Sequence, residues 1–452
     1  MDKAWSQVDL VREAFHYKSR FDGSTMVFKI DYPVTLNPLF PSLVKDLALL
    51  SLTGFRVIIV PGAKEWIDEV LKEYHIVSRY NGTLRITGRE AIPFVQMAAF
   101  HSATRFMTGF SGSRVESIIG NFVRARGLGV LNGIDMEHTG TVERFYIDSI
   151  NRILELGMIP ILPCIGWSPA GRPYNVPSEE IALEAAAKLR AIKLFIISMS
   201  EGVKKGIYEI PSNIDTRENG RIIRLNPQEA ARVLEINSGK RNDKSLEDLA
   251  LALKASTDGV ERVHIINGAE EGAILKELFS NLGAGTMVYA DEHESIRALR
   301  SKDIPDILRL MEPLMKQGYL VRRSPEDIQN KKEDYAVYEI DDQIHACGAL
   351  HNWGEGQAEI AALATDPHYA DLGLGRRIVR YFIDRAEKAG LSRIFVLTTR
   401  THDWFESLGF RESTVENLPE KRKASYDKNR NSKVFSLTIK PGGNDRSQNP
   451  GL

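Results

Sequence analysis

The stretch ATDPHYADLGLGRRIVRYFIDRAEKAG, residues 364–390, decides how the last third of the chain is read. Gly373 and Gly375 stand one residue apart, between a strand-forming run and an arginine-rich amphipathic run. Strand, glycine loop and helix in that order turn backbone N–H groups toward one point. The helix N-terminus adds a partial positive charge, and the result is a cradle for a pyrophosphate. Glycine suits the loop because a Cβ would block close approach and because φ > 0 is open to it. A tight strand-to-helix turn would need the same glycines, so the spacing alone leaves both readings open.

Working outward, residues 304–316 read as a helix, 335–340, 344–352 and 358–365 as strands, and 376–390 as a helix ending at Gly390. A strand at 394–399, a helix at 403–408 and a strand at 433–439 follow. The rhythm differs upstream of residues 291–298. There, strand candidates MVFKI (26–30), RVIIVPGA (56–63), MIPILPC (158–164), KLFIISM (193–199) and RVHIIN (262–267) are spaced by helical patterns at 42–54, 179–191 and 270–283. Strands spaced by helices predict an α/β domain with a mostly parallel sheet.

At 452 residues the chain has room for two or three domains. With 43% hydrophobic and 26% charged residues its composition is that of an ordinary globular protein, and a formal charge of −1 offers no field for nucleic acid or an anionic membrane. The two cysteines, Cys164 and Cys347, make neither a disulfide framework nor a metal site. A cytoplasmic protein without secretory signal, membrane span or metal is therefore expected. The final residues, 441–452, hold no core former and are expected to be disordered.

The loop, its helix, the following strand and WFESLGF (404–410) resemble the GNAT acetyltransferase superfamily. There the loop binds the pyrophosphate of acetyl-CoA. The usual Gln/Arg at the head of that loop is Ala370 here, and Arg376 or Arg377 is left to supply charge. Many members have a tyrosine that protonates the leaving thiolate where this chain has Phe405.

The segments LVRRS (320–324), AEIAALATDP (358–367), FVLTTRTHDWF (395–405), LPEKRKASY (418–426) and NRNSKV (429–434) are similar, within that superfamily, to the transferase domain of the bacterial N-acetylglutamate synthase family. The resemblance implies acetyl transfer from acetyl-CoA to L-glutamate. It places Arg322 and Arg430 at the substrate carboxylates, with Ser432 and the main chains of Leu320 and Ala362 beside them. A guanidinium binds a carboxylate through two parallel bonds, which suits a small dicarboxylate. Arg323 and Arg400 are read as structural or solvent-facing. Glu359 is the implied base, acting through water. Its apolar strand, EIAALA, favours the neutral acid and a raised pKa; a salt-bridged edge glutamate is the other reading. Thr398 stands near the thioester sulfur as the candidate acid. Backbone N–H groups of Leu363, Ala364 and Thr365 are expected at the thioester carbonyl and pantetheine, and Leu372, Gly373, Leu374, Gly375 and Arg376 at the pyrophosphate.

The first domain is similar to the amino-acid kinase family through FKIDY (28–32), VIIVPGAKEWIDEVL (57–71), LRITG (84–88), YNVPSEEIALEAAAKL (174–189) and residues 263–288. The expected architecture is a three-layer kinase-like domain with a mostly parallel sheet, followed by a GNAT domain. The expected boundaries are 1–20 (helix), 21–290, 291–440 and 441–452. The phosphate-binding parts are altered. Lys29 is followed by Asp31-Tyr32 instead of two glycines, the glycine loop reads Pro61-Gly62-Ala63-Lys64, and Ser178 or Glu179 replaces an aspartate. Arg85 and Asn175 match acetylglutamate-binding positions. Arginine-regulated relatives imply an effector site for L-arginine at Tyr17, Lys193, Glu277 and Gly283, and a ring of dimers built through the N-terminal helix. An N-acetyltransferase for another amino acid and a non-catalytic arginine-binding regulator are the alternatives.

Overall fold

The computed structural model describes residues 21–439 apart from 212, 213, 215, 218, 241, 242, 280–283, 290–293, 341, 342, 368–372 and 429. The expected N-terminal helix with Tyr17, the effector residue Gly283, the loop residues Ala370 and Leu372, and the tail lie outside the described residues. The chain divides into two compact units, residues 1–291 and 292–452.

The first unit is built on eight strands. Their spatial order is Arg224–Leu225, Thr286–Tyr289, Arg262–Asn267, Lys193–Ser198, Thr25–Ile30, Arg56–Pro61, Ile159–Ile161 and Ser117–Ile119. All neighbours are parallel except Arg262–Asn267 with Thr286–Tyr289. The central strands are apolar on both faces because both are covered. Val27, Ile58, Val60, Leu194 and Ile196 point into one core. Met26, Phe28, Ile30, Val57, Ile59, Phe195 and Ile197 point into the other. That is the pattern of a doubly covered parallel sheet.

Helix Phe40–Leu52 starts on Pro41 and stops ahead of Gly54, whose φ of 101° no other residue adopts cheaply. The strand expected at 158–164 shortens to Ile159–Ile161, since Pro163 cannot donate to a ladder. A second sheet of four short strands was not legible: Pro173–Asn175, Ile165–Trp167, Val123–Gly127 and Gly140–Phe145. Two of these strands have only three residues, too few to show a period, and three of the four carry a glycine.

The second unit is a seven-stranded sheet ordered Glu294–Ala298, Tyr335–Ile340, Gln343–Gly354, Gln357–Thr365, Arg393–Thr398, Lys433–Thr438 and Arg411–Ser413. It is antiparallel except for one parallel pair at its centre, Gln357–Thr365 with Arg393–Thr398. Helix Ile304–Lys316 packs on one face through Ile304, Ile307 and Met311. Helix Leu374–Lys388 covers the other, closely, because Gly348 lies beneath it. A Cβ there would stand 2.8 Å from Phe382 and 3.1 Å from Ile378. Among the described residues, no helix is long and apolar enough to cross a membrane, and no His/Cys/Asp/Glu group could hold a metal ion.

The core of the first unit is held by a column of rings. Phe28 stacks on Phe195 at 4.6 Å, and Phe195 stacks on His264 at 4.9 Å. Phe195→Ala removes the middle ring from a close-packed interior and is expected to cost about 3–5 kcal/mol. Urea unfolding should show the first unit's transition at correspondingly lower denaturant.

Candidate active site and effector site

The centre of the second unit is shaped by one residue in an unusual conformation. Ala362 has φ 53°, inside strand Gln357–Thr365. On the side of strand Gln343–Gly354, Cys347 pairs with Ala364 but Ala349 pairs with Ala361, so one strand advances three residues while the other advances two. This β-bulge bends the strand. On its other side, the parallel register runs from Gln357↔Arg393 only as far as Ile360↔Val396. Strand Arg393–Thr398 meanwhile stays paired with Lys433–Thr438 to its last residue. The two central strands therefore part after Ile360, and the 361–365 edge faces a gap.

Helix Leu374–Lys388 begins at the same end. Gly373 is its N-cap with φ 61°, a left-handed conformation that glycine adopts freely, and it offers no side chain to cap the first turn. Gly375 answers to packing: a Cβ there would lie 3.3 Å from Trp404 and 3.5 Å from Thr365. Arg376 is exposed at this turn. Arg377 turns aside instead, donating to the Tyr338 hydroxyl at 2.8 Å.

Glu359 stands within the last paired stretch and is buried. Its expected apolar setting is corrected. Arg422 forms a two-pronged ion pair with it, Nε to Oε2 at 2.7 Å and Nη2 to Oε1 at 3.0 Å. The Trp353 indole also donates to Oε2 at 3.0 Å. Thr398 closes strand Arg393–Thr398. Its hydroxyl pairs with that of Thr401 at 2.9 Å and accepts from the Thr401 N–H at 3.0 Å.

Arg430 donates through Nη2 to the carbonyl of Tyr319 at 2.5 Å, beside Leu320. Its buried Nε has no hydrogen-bond partner among the described residues. Such a group is costly to bury unless something accepts from it. Ser432 is buried, and its carbonyl accepts from the Tyr426 hydroxyl at 2.8 Å. Arg322 is exposed and makes no hydrogen bond among the described residues. Arg400 lies over the Tyr319 ring at 5.0 Å and donates to its hydroxyl; Arg323 donates to the carbonyl of Val321. Phe405, buried against Phe410, is a core residue.

In the first unit, a cavity of about 1260 Å³ opens beside Lys64, Arg85, Asn175, Ser178, Glu179 and Lys244. Lys29, fully buried, is ion-paired with Asp31 and with Glu179 at 2.9 Å. Lys244 pairs with Asp31 at 2.8 Å and Asp248 at 2.7 Å. The Asp31 carboxylate thus sits between two ammonium groups. Burial alone would lower the Lys29 pKa, but the Asp31, Glu179 and Asp248 carboxylates hold it well above its ordinary value. Arg85 is engaged too, by Asp68 at 2.8 Å.

Two of the expected effector residues meet through a third. Glu277 is neither solvated nor unengaged: its Oε1 contacts Nδ1 of His264 at 2.7 Å, and its Oε2 accepts from the N–H groups of Ala284 and Gly285. Nε2 of His264 faces the Lys193 ammonium at 3.3 Å. A neutral imidazole that donates through Nδ1 and accepts through Nε2 satisfies both neighbours. Burial, and then the Lys193 charge, hold His264 down to about 4. Glu277 is lowered to about 2, since the His264 and backbone hydrogen bonds outweigh its burial. His264 was not singled out in the sequence, although a polar residue inside the apolar run RVHIIN is a signal that could have found it.

Two family models match the chain. The amino acid kinase family covers residues 23–267, and the acetyltransferase (GNAT) family covers 304–410. An "Amino-acid acetyltransferase" from Pseudomonas syringae pv. tomato is 34% identical over 96% of this chain and 99% of its own. One from Pseudomonas fluorescens is 36% identical over the same shares. Among solved structures, N-acetylglutamate synthase from Neisseria gonorrhoeae with coenzyme A and L-arginine is 31% identical, with a TM-score of 0.82 over 96% of this chain and 100% of that one. The same enzyme with coenzyme A and N-acetyl-glutamate is 32% identical, with a TM-score of 0.60 over the same shares.

The His264 pair makes stability pH-dependent. An unfolded imidazole takes up its proton near pH 6.5, but the folded one only near 4. Across that window the unfolded state binds more protons, so stability is full above about pH 6.5 and falls as the pH drops toward 4. His264→Gln should lose less stability between pH 7 and pH 5 than the wild type does, as urea midpoints at the two pH values would show.

Proposed function

The chain belongs to the amino-acid acetyltransferase family, and we propose that it transfers the acetyl group of acetyl-CoA to the α-amino group of L-glutamate. The products are N-acetyl-L-glutamate and CoA, and the reaction opens arginine biosynthesis. The observation that carries this reading is the parting of the central strands after Ile360↔Val396, next to the Gly373 turn. An extended arm with amide groups pairs with an open strand edge as an added strand does. The pantetheine of CoA is such an arm, and its pyrophosphate then falls at the first turn of the loop helix. That a relative of this architecture binds coenzyme A together with N-acetyl-glutamate supports the choice of substrate.

In this reading Arg322 and Arg430 take the two carboxylates of glutamate, with Ser432 and the main chains of Leu320 and Ala362. The Nε of Arg430, which has no partner among the described residues, gains an acceptor. The α-ammonium gives its proton through water to Glu359, which Arg422 and Trp353 hold in one orientation. The amine then attacks the thioester carbon. As the C–N bond forms, the carbonyl oxygen becomes negative and is held by N–H groups of Leu363, Ala364 and Thr365. The C–S bond breaks, and the CoA thiolate leaves toward Thr398, the candidate to supply a proton. Phe405 has no proton to give.

The first unit is read as a sensor, not a kinase. Asp31 already occupies the space between Lys29 and Lys244 that an anionic phosphate would need. L-arginine is the proposed effector, at Lys193, His264 and Glu277 with Tyr17 and Gly283, because a carboxylate is the natural counter-charge of a guanidinium. A relative that binds coenzyme A and L-arginine supports this. We place the enzyme in the cytoplasm as a homo-oligomer, a ring of dimers.

CoA release measured with each amino acid should occur with glutamate; release with a different amino acid alone would overturn the substrate. Arg322→Ala and Arg430→Ala should each raise the glutamate KM strongly, as loss of a charge-assisted pair is worth about 2–4 kcal/mol. The acetyl-CoA KM should stay near wild type. Unchanged glutamate kinetics in both variants would take these residues out of the site.

Calorimetry should detect L-arginine binding to the wild type, accompanied by a change in transferase rate. A coupling of roughly 1–3 kcal/mol corresponds to about a 5- to 150-fold change in linked affinity. Glu277→Gln keeps hydrogen-bonding capacity but removes the counter-charge, and should weaken arginine binding at least about tenfold. An undiminished response would place the effector elsewhere.

A further inference from the structure

Trp404 lies in the short helix His402–Ser407, which follows strand Arg393–Thr398. The outer edge of its indole reaches the loop helix. A Cβ on Gly375 would stand 3.3 Å from Cζ2 and 3.5 Å from Cη2 of Trp404, and 3.5 Å from Cγ2 of Thr365. Three elements thus meet at one point: the end of the bulged strand, the first turn of helix Leu374–Lys388, and this ring. The ring is fixed from behind, edge to face on the buried Phe405 at 4.8 Å.

The indole nitrogen is carried by the ring carbon bonded to Cζ2, so its N–H lies on the flank of the edge that meets Gly375. The chain has a second indole in this unit, Trp353, and that N–H is paired with Glu359. The Trp404 N–H makes no hydrogen bond among the described residues, although the side chain is half-buried. With the side chain only half-buried, that N–H is open to an acceptor from outside the chain. Gly373, the N-cap of the first helical turn, likewise has no side chain to accept from its amides. The first-turn amides and the indole of Trp404 are neighbours around Gly375, and Arg376 adds an exposed positive charge. An acceptor that satisfies all of them is an anionic oxygen.

We propose that Trp404 is a further acetyl-CoA-binding residue whose indole N–H donates to a pyrophosphate oxygen of the cofactor, beside the first-turn amides of helix Leu374–Lys388. This rests on the reading that the Gly373 turn seats the pyrophosphate. It also accounts for Gly375: a side chain there would push the ring out of reach of that oxygen.

The test is calorimetric titration of the full chain with CoA. Trp404→Phe keeps an aromatic ring against Gly375 and Phe405 and removes only the N–H. Its CoA Kd should rise roughly tenfold, as loss of a hydrogen bond to a charged acceptor does, while the glutamate KM stays at the wild-type value. Trp404→Leu should lose at least as much. A Trp404→Phe protein with wild-type CoA affinity overturns the proposal. If only Trp404→Leu is then affected, the ring acts by packing. Arg376→Glu, an exposed charge reversal at the same turn, tests the seat itself. If it weakens CoA binding while Trp404→Phe does not, the seat stands and the tryptophan assignment falls. If neither variant weakens binding, the pyrophosphate lies elsewhere and both readings fall.

Discussion

Backbone polar groups in a sheet must be paired, and the second unit is organised around a place where that pairing stops. Ala362 in the left-handed region inserts an extra residue against strand Gln343–Gly354 and swings the following residues away from strand Arg393–Thr398. A non-glycine residue in this conformation is a local cost that the surrounding structure has to hold in place. Here the four residue pairs from Gln357↔Arg393 to Ile360↔Val396 and the full ladder between Arg393–Thr398 and Lys433–Thr438 hold it. The open edge that results suits an extended, amide-bearing ligand, and the helix start at Gly373 sets where such a ligand's charge can lie.

The position of Glu359 follows from the same constraint. It sits one residue before the last paired position, so its backbone is rigid while the space ahead of it opens. Two side chains from other parts of the unit, Arg422 and Trp353, then fix its carboxylate. Buried charge is tolerated because it is paired, as is usual where a carboxylate leaves water.

The first unit uses buried charge in two ways. At one edge of its cavity, Asp31 and Glu179 neutralise Lys29, and Asp31 and Asp248 neutralise Lys244, so these two cations are already satisfied. On the other side of the central strands, Lys193, His264 and Glu277 form a chain in which a single imidazole mediates between a cation and an anion. The first arrangement keeps two lysines paired at the cavity edge. The second presents a carboxylate whose hydrogen-bonding capacity extends beyond the bonds it makes, which is what a guanidinium needs.

Much of the architecture was legible in the residue pattern. Helix Ile304–Lys316 and strand Tyr335–Ile340 fall at the bounds expected from periodicity, because long amphipathic helices and apolar strand runs carry their own burial pattern. The Gly373-x-Gly375 spacing marked a strand-to-helix turn, and strand runs spaced by helical patterns marked a mostly parallel sheet. What the pattern could not carry is pairing between distant residues. EKRKAS offers Lys421, Arg422 and Lys423 as equal cations; only the fold brings Arg422 to Glu359 across 63 positions. Tyr319 receives Arg430 across 111 positions and Arg400 across 81. The alternation of EIAALA placed Glu359 beside apolar neighbours along its own strand, but its partners come from the short helix Glu420–Ala424 and from the end of the neighbouring strand Gln343–Gly354. Local order is set by short-range sterics and by the periodic exposure of side chains, and both are written in consecutive residues. The partners of a buried charge are set by which segments the sheet brings together, and tertiary structure alone decides that.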